Sequence, residues 1–183
     1  MEIAIGVVGV LLTILIALVP YLKKKYGERP KLEIEIIYDS VASRPVGLSS
    51  KNDNSKGYID ANDAIRIFEL TCKMKLIIRN NSDIAAYYTK MHYEKQSIVF
   101  DKLPTKPILN SGDISLQGEY KTSEECRGQE RTTSKEISDK LSNLKIVLEY
   151  QNNHGTNFYT IYNHGQDEIK NTHLTKRPKE LSE

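Results

Sequence analysis

The hydrophobic positions of this chain fall into two regimes. Residues 3–22 read IAIGVVGVLLTILIALVPYL, an uncharged run in which Thr13 is the clear polar residue. A helix packed on a soluble core keeps a polar stripe, and this run has none. At 1.5 Å per residue, about 20 residues cross the ~30 Å hydrocarbon layer of a bilayer. The pattern predicts a transmembrane helix over residues 1–22, with Pro20 near its end and Tyr21 and Tyr26 at interfacial positions. A cleaved signal peptide needs a basic start, a shorter apolar run and a small-x-small site. Leu18-Val19-Pro20-Tyr21 offers no such site.

After a basic linker over residues 23–30, the period changes to two. Residues 31–38 set Leu32, Ile34, Ile36 and Tyr38 against Glu33, Glu35 and Ile37, which predicts a strand with one buried face. Residues 39–57 are polar and turn-rich and are expected to form a mobile loop. The clearest strand spans 68–79, where Phe68, Leu70, Cys72, Met74, Leu76 and Ile78 alternate with Glu69, Thr71, Lys73, Lys75, Ile77 and Arg79. Asn80-Asn81-Ser82-Asp83 predicts a turn into a Tyr-rich strand over 84–93, paired antiparallel with its predecessor. Shorter strands are expected at 97–100 and 114–120, with a loop at 103–107 and a turn at 110–113. Residues 121–131 are highly charged, and 133–144 place Ile137, Leu141 and Leu144 on one helical face. Strands at 145–150 and 157–162 flank the turn Gln151-Asn152-Asn153-His154-Gly155, a hairpin signature. From residue 164 to 183 the chain is polar and is expected to be a disordered tail. Six or seven strands joined by turns predict a mainly β domain over 31–163, an antiparallel sandwich or barrel with one short helix.

Charge then fixes topology. The 183 residues hold 26 Lys+Arg and 24 Asp+Glu, a net charge of +2, which argues against a dedicated binder of nucleic-acid polymers. Locally the balance is uneven. Only Glu2 precedes the apolar run, whereas Lys23, Lys24, Lys25, Arg29 and Lys31 follow it. Positive charge stays inside, so a single span is expected in the cell inner membrane, N-terminus outside and soluble domain cytoplasmic. The same cations are expected to lie against anionic headgroups. Two cysteines, Cys72 and Cys126, without CxxC spacing suit a reducing compartment. Within the span, Gly6, Gly9, Thr13 and Ala17 place small residues on a stripe where two helices can pack closely, so a homo-oligomer is expected.

Catalytic chemistry finds little footing. His92, His154, His164 and His173 show no metal-ligand spacing, and no P-loop, GxGxxG or GxSxG occurs. Residues 52–63 place Gly57 as a calcium loop would, but Lys56 and Asp63 spoil the ligand set. No enzyme activity, metal or cofactor is expected. The ligand-binding candidates are Lys73, Lys75 and Arg79 beside Tyr87, Tyr88, Lys90 and His92, since aromatic faces with nearby cations stack a base and hold a phosphate. Asn152, Asn153, His154 and Thr156 at a loop end form a second candidate.

The order of a long strand, an NNSD turn, a Tyr-rich strand, a Pro-containing loop, an NSGD turn and the hairpin LEYQNNHGTNFYTIY resembles immunoglobulin-like sandwich domains behind bacterial membrane anchors. The resemblance spans residues 31–163 and lacks the disulfide pair and core Trp of antibody domains. It implies a membrane-anchored interaction module, with the bilayer, a second copy, and a protein or small nucleotide as partners. The layout is also similar to ligand-gated effectors of bacterial antiphage systems, in which transmembrane helices join a β-barrel that senses a cyclic nucleotide. Those effectors carry two helices where this chain offers one apolar run.

Overall fold

The computed structural model describes residues 13–14, 16–23, 27–52, 63–94, 97–130, 132, 136–165 and 170–181. Eight strands account for most of them: β1 (Leu32–Leu48), β2 (Ile65–Asn80), β3 (Tyr87–Tyr93), β4 (Ile98–Phe100), β5 (Asp113–Arg127), β6 (Lys145–Gln151), β7 (Asn157–Asn163) and β8 (Asn171–Leu174). They form two antiparallel sheets with orders β1-β2-β5-β4 and β3-β6-β7-β8. Alternation decides which face each strand buries. On β2, Phe68, Leu70, Cys72, Met74, Leu76 and Ile78 turn inward and are buried. Ile146, Leu148, Tyr150, Phe158 and Tyr162 of β6 and β7 meet most of them from the second sheet in a single hydrophobic cluster. The mainly β, two-sheet expectation is met.

The corner between β1 and the second sheet is closed by side chains instead of a ladder. Asn171 of β8 accepts from Ile34 N at 2.9 Å and donates to Ile34 O at 3.0 Å. Thr160 of β7 donates to Leu32 O at 2.9 Å. The imidazole of buried His164 lies between two phenols, 2.6 Å from the Tyr38 hydroxyl and 2.9 Å from that of Tyr162. Satisfying backbone and ring polar groups in this way removes the cost of burying them.

Several expectations are corrected. The Tyr-rich strand does not pair with β2; β5 does, over a register running from Ile65↔Arg127 to Arg79↔Asp113. The reason lies at Asn80, whose fully buried amide donates to Ile84 O at 2.7 Å and Ile108 O at 3.1 Å. That amide caps the turn from within and carries the chain across to the other sheet, where β3 pairs with β6. Residues 39–48, expected in a mobile loop, extend β1 to Leu48; bulges at Tyr38/Ser40 and Pro45/Gly47 erase the alternation by which a strand is recognised. The charged residues 121–127 likewise continue β5, where exposed positions alternate with the half-buried Thr122, Glu124 and Cys126. The predicted helix over 133–144 shrinks to Ile137–Lys140, with 133–135 outside the described residues. The tail expected to be disordered contains β8 and a 3-10 turn, Lys179–Leu181.

That tail has a structural task. Val147, Tyr159 and Ile161 point away from the core by strand alternation, yet all three are buried. Arg177 and Leu181 line a cleft together with Val147, and Pro178 is buried. The segment after β8 therefore lies on the outer face of the second sheet.

Among the described residues no helix is long and apolar enough to cross a membrane. Residues 1–12 and 15 of the predicted span, including Gly6 and Gly9, lie outside the described residues, as do Lys24 and Lys25. Residues 16–22 are helical.

Candidate functional site

The cations and tyrosines expected to share a ligand site are separated. Lys73, Lys75 and Arg79 lie on the outer face of β2. Their cross-strand neighbours include Glu33, Glu119 and Asp113, so this face is balanced in charge. Arg79 bonds Glu35 at 2.8 Å. Tyr87, Tyr88, Lys90 and His92 lie on β3, at the edge of the other sheet. Of these, Tyr88 is 74% exposed and sits at positive φ (51°) in the bulge between Tyr87 and Lys90.

A cleft elsewhere gathers a different set around one of those residues. A cleft of about 780 Å³ lies between the end of β3, the start of β6, the short helix and the C-terminal segment. His92, Tyr93 and Tyr120 line it together with Lys140, Lys145 and Arg177. Tyr93 is fixed on the Phe100 ring, edge to face at 5.2 Å, and its hydroxyl accepts from Phe100 N at 3.1 Å. Lys140 bonds Glu124 at 3.2 Å. Burial raises the Glu124 carboxyl, but its hydrogen bonds from Thr132 and the charge of Lys140 outweigh that effect and hold its pKa below the usual value. His92 lies 3.6 Å from Glu149, and Arg177 donates to Leu181 O at 2.7 Å. The cleft thus holds four basic side chains on four separate segments, a rigid wall of aromatic carbon and one carboxylate, Glu94, on its lining. Such a lining suits an anionic ligand with a flat apolar part. Sequence reasoning found His92 and missed Lys140, Lys145 and Arg177. The unbroken apolar runs 146–148 and 158–159, typical of strands covered on both faces, were the available sign that the tail returns to this sheet.

The second sequence candidate is a latch on the linker. Asn152 is buried; its carbonyl oxygen accepts from His154 N and Thr156 N, each at 3.0 Å, and its amide donates to Glu28 O at 3.0 Å. His154 Nε2 meets the Glu28 carboxylate at 2.9 Å. Asn153 is exposed. On the other side of the linker, Lys31 N donates to Ser82 Oγ at 3.2 Å and Lys31 O accepts from Asn81 N at 2.9 Å. The β6–β7 turn and the turn after β2 therefore grip residues 28–31. Since β6 starts at the cleft and ends at this latch, the two are about 20 Å apart at ~3.3 Å per residue.

Among the described residues no nucleophile stands out. Burial, aided by Asp39, pushes the Cys72 thiol up to about 11. Burial and the carboxylates of Glu124 and Glu130 raise Cys126 as well, the reverse of what a reactive thiolate needs. Among the described residues no three His, Cys, Asp or Glu side chains are placed to hold a metal ion. Compared with known proteins, the chain matches no family model, no curated protein and no solved structure.

Proposed function

We propose that this chain is a membrane-anchored binding module. Residues 1–22 form a single span, the sandwich stands on the cytoplasmic side, and the cleft takes a small anionic ligand. The observation that carries the anchor is the state of the helical apolar side chains. Ile14, Ile16, Leu18, Val19, Tyr21 and Leu22 are 42–71% exposed, although the domain has a well-filled core of its own. A contiguous apolar surface of this kind calls for an apolar surrounding. The lysines beyond it set the orientation. The strand order adds to the interaction-module reading: β1-β2-β5-β4 opposite β3-β6-β7 corresponds to ABED opposite CFG in constant-type immunoglobulin sandwiches, with β8 added outside. Self-association through Gly6, Gly9, Thr13 and Ala17 belongs to the same reading.

Two measurements on the full chain test it. The protein should stay in the membrane pellet through alkaline carbonate, with a C-terminal fluorescent reporter lit in the cytoplasm. Release into the soluble fraction ends the anchor reading. In detergent micelles, a panel of mono-, di- and cyclic nucleotides should contain a member that raises the melting temperature. At a hundredfold excess over Kd the gain is about 2.7 kcal/mol, or about 5–11 °C for a chain of this size. A panel without any shift, or a shift unchanged in Lys145→Glu/Arg177→Glu, removes the cleft from the proposal.

A further inference from the structure

Among the described linker cations, Arg29 is the one that the sandwich takes in. Its Nε and Nη2 are buried without a hydrogen-bond partner. The guanidinium carbon lies 5.8 Å from the centre of the Phe158 ring, within cation–π range. A ring face offsets part of the cost of burying a cation and leaves directed N–H donors unmet. The third nitrogen, Nη1, is neither bonded nor fully buried, so one edge of the group faces outward. Burial first, and then the charges of Arg29 and Lys31, press His173 of β8 toward the neutral form, against the pull of Glu33. His173 spends Nδ1 on Thr160 at 3.1 Å, which leaves Nε2 for another partner. Arg29 and Lys31 thus lie within electrostatic reach of His173, with Glu33 beside them, and Arg29 lacks a hydrogen-bond acceptor for its buried Nε and Nη2.

The geometry points to a phosphate site here: Arg29, supported by Lys31 and His173, receives the phosphate oxygens of a membrane phospholipid headgroup. A guanidinium offers phosphate a planar pair of donors, and a small rotation of the half-buried side chain brings Nη2 to the same oxygens as Nη1. The choice of a lipid rests on the anchor reading, since Arg29 follows Leu22 by seven residues and the latch holds it at the anchored end of the sandwich. Free phosphate has the same chemistry, so the test separates the two sources.

The test follows the His173 titration by NMR in the full chain, carried in maltoside micelles that contain no phosphate. Added phosphatidylglycerol should raise the His173 midpoint by about half a unit or more, because a bound anion cancels the repulsion from Arg29 and Lys31. Arg29→Gln should abolish the rise, and Arg29→Lys should retain part of it. His164, held between its two phenols, should not respond, and its unchanged signal certifies the fold of each variant. A rise with inorganic phosphate alone assigns the site to free anion, and a rise with the lipid alone assigns it to the headgroup; either supports the site. No rise with either, or a rise that persists in Arg29→Gln, overturns it. Carbonate extraction of the chain would end the anchor reading, while the inorganic phosphate arm would still report on the site.

Discussion

Gly118 is closely packed by its neighbours, and replacing it by alanine gives a sharp test of the sandwich. In β5 it stands between Met74 of β2 and Phe100 of β4. A methyl group there would lie 2.5 Å from Cδ1 of Phe100 and 3.0 Å from Cγ of Met74. The Phe100 ring has little room to yield, because it is 6% exposed and seated edge-on against Tyr93. Alanine in a strand gains about 0.5–1 kcal/mol over glycine from backbone entropy. Overpacking a filled core costs about 1–3 kcal/mol. The difference is a loss of at most about 2.5 kcal/mol, and the closeness of the Phe100 ring sets the expectation in its upper part, about 1–2 kcal/mol, or a melting temperature lower by about 2–8 °C. Thermal unfolding of the full chain in micelles, followed by circular dichroism, reads this directly. Phe100→Leu removes the clashing ring, so Gly118→Ala should cost less in that background, with a coupling of about 1 kcal/mol. Equal stability of Gly118→Ala and the parent would refute the argument, as would strict additivity in the double mutant.

Two further outcomes follow from the closed corner. Asn171→Ala should cost about 1–3 kcal/mol by stranding Ile34 N and O at once, and hydrogen exchange at the Ile34 amide should speed up more than exchange in β5; equal protection would show that the amide bridge contributes nothing. Burial, reinforced by Lys170, holds His164 below its ordinary pKa, so the folded state prefers the neutral ring while the unfolded chain binds the proton. Stability should therefore be complete above the unfolded value of about 6.5 and fall as the pH drops through it toward the lower folded value. His164→Gln should flatten that slope in urea titrations between pH 7 and pH 5, and an unchanged slope would exclude the ring as its source.

The hydrophobic pattern by itself determined the class of fold, because alternation over β2, β6 and β7 is a local property that any sheet must obey. It also located the final hairpin, whose turn residues act within five positions of each other. Partners were another matter. The sequence neighbour of β2 is β3, and only the buried amide of Asn80, reaching Ile108 across 28 residues, sends the chain to the opposite sheet. That pairing also divided the predicted ligand-binding residues, since Lys73 and Tyr87 lie on different sheets. The cleft was hidden for the same reason: Lys140, Lys145 and Arg177 carry no spacing that links them, and they converge because the tail covers the outer face of β6 and β7. Arg29 reads in sequence as one more juxtamembrane cation. Its place over Phe158, 129 positions away, depends on a latch between Glu28, Asn152 and His154. Periodicity reports which face of a strand is apolar, whereas long-range side-chain hydrogen bonds and the return of the tail decide what that face meets.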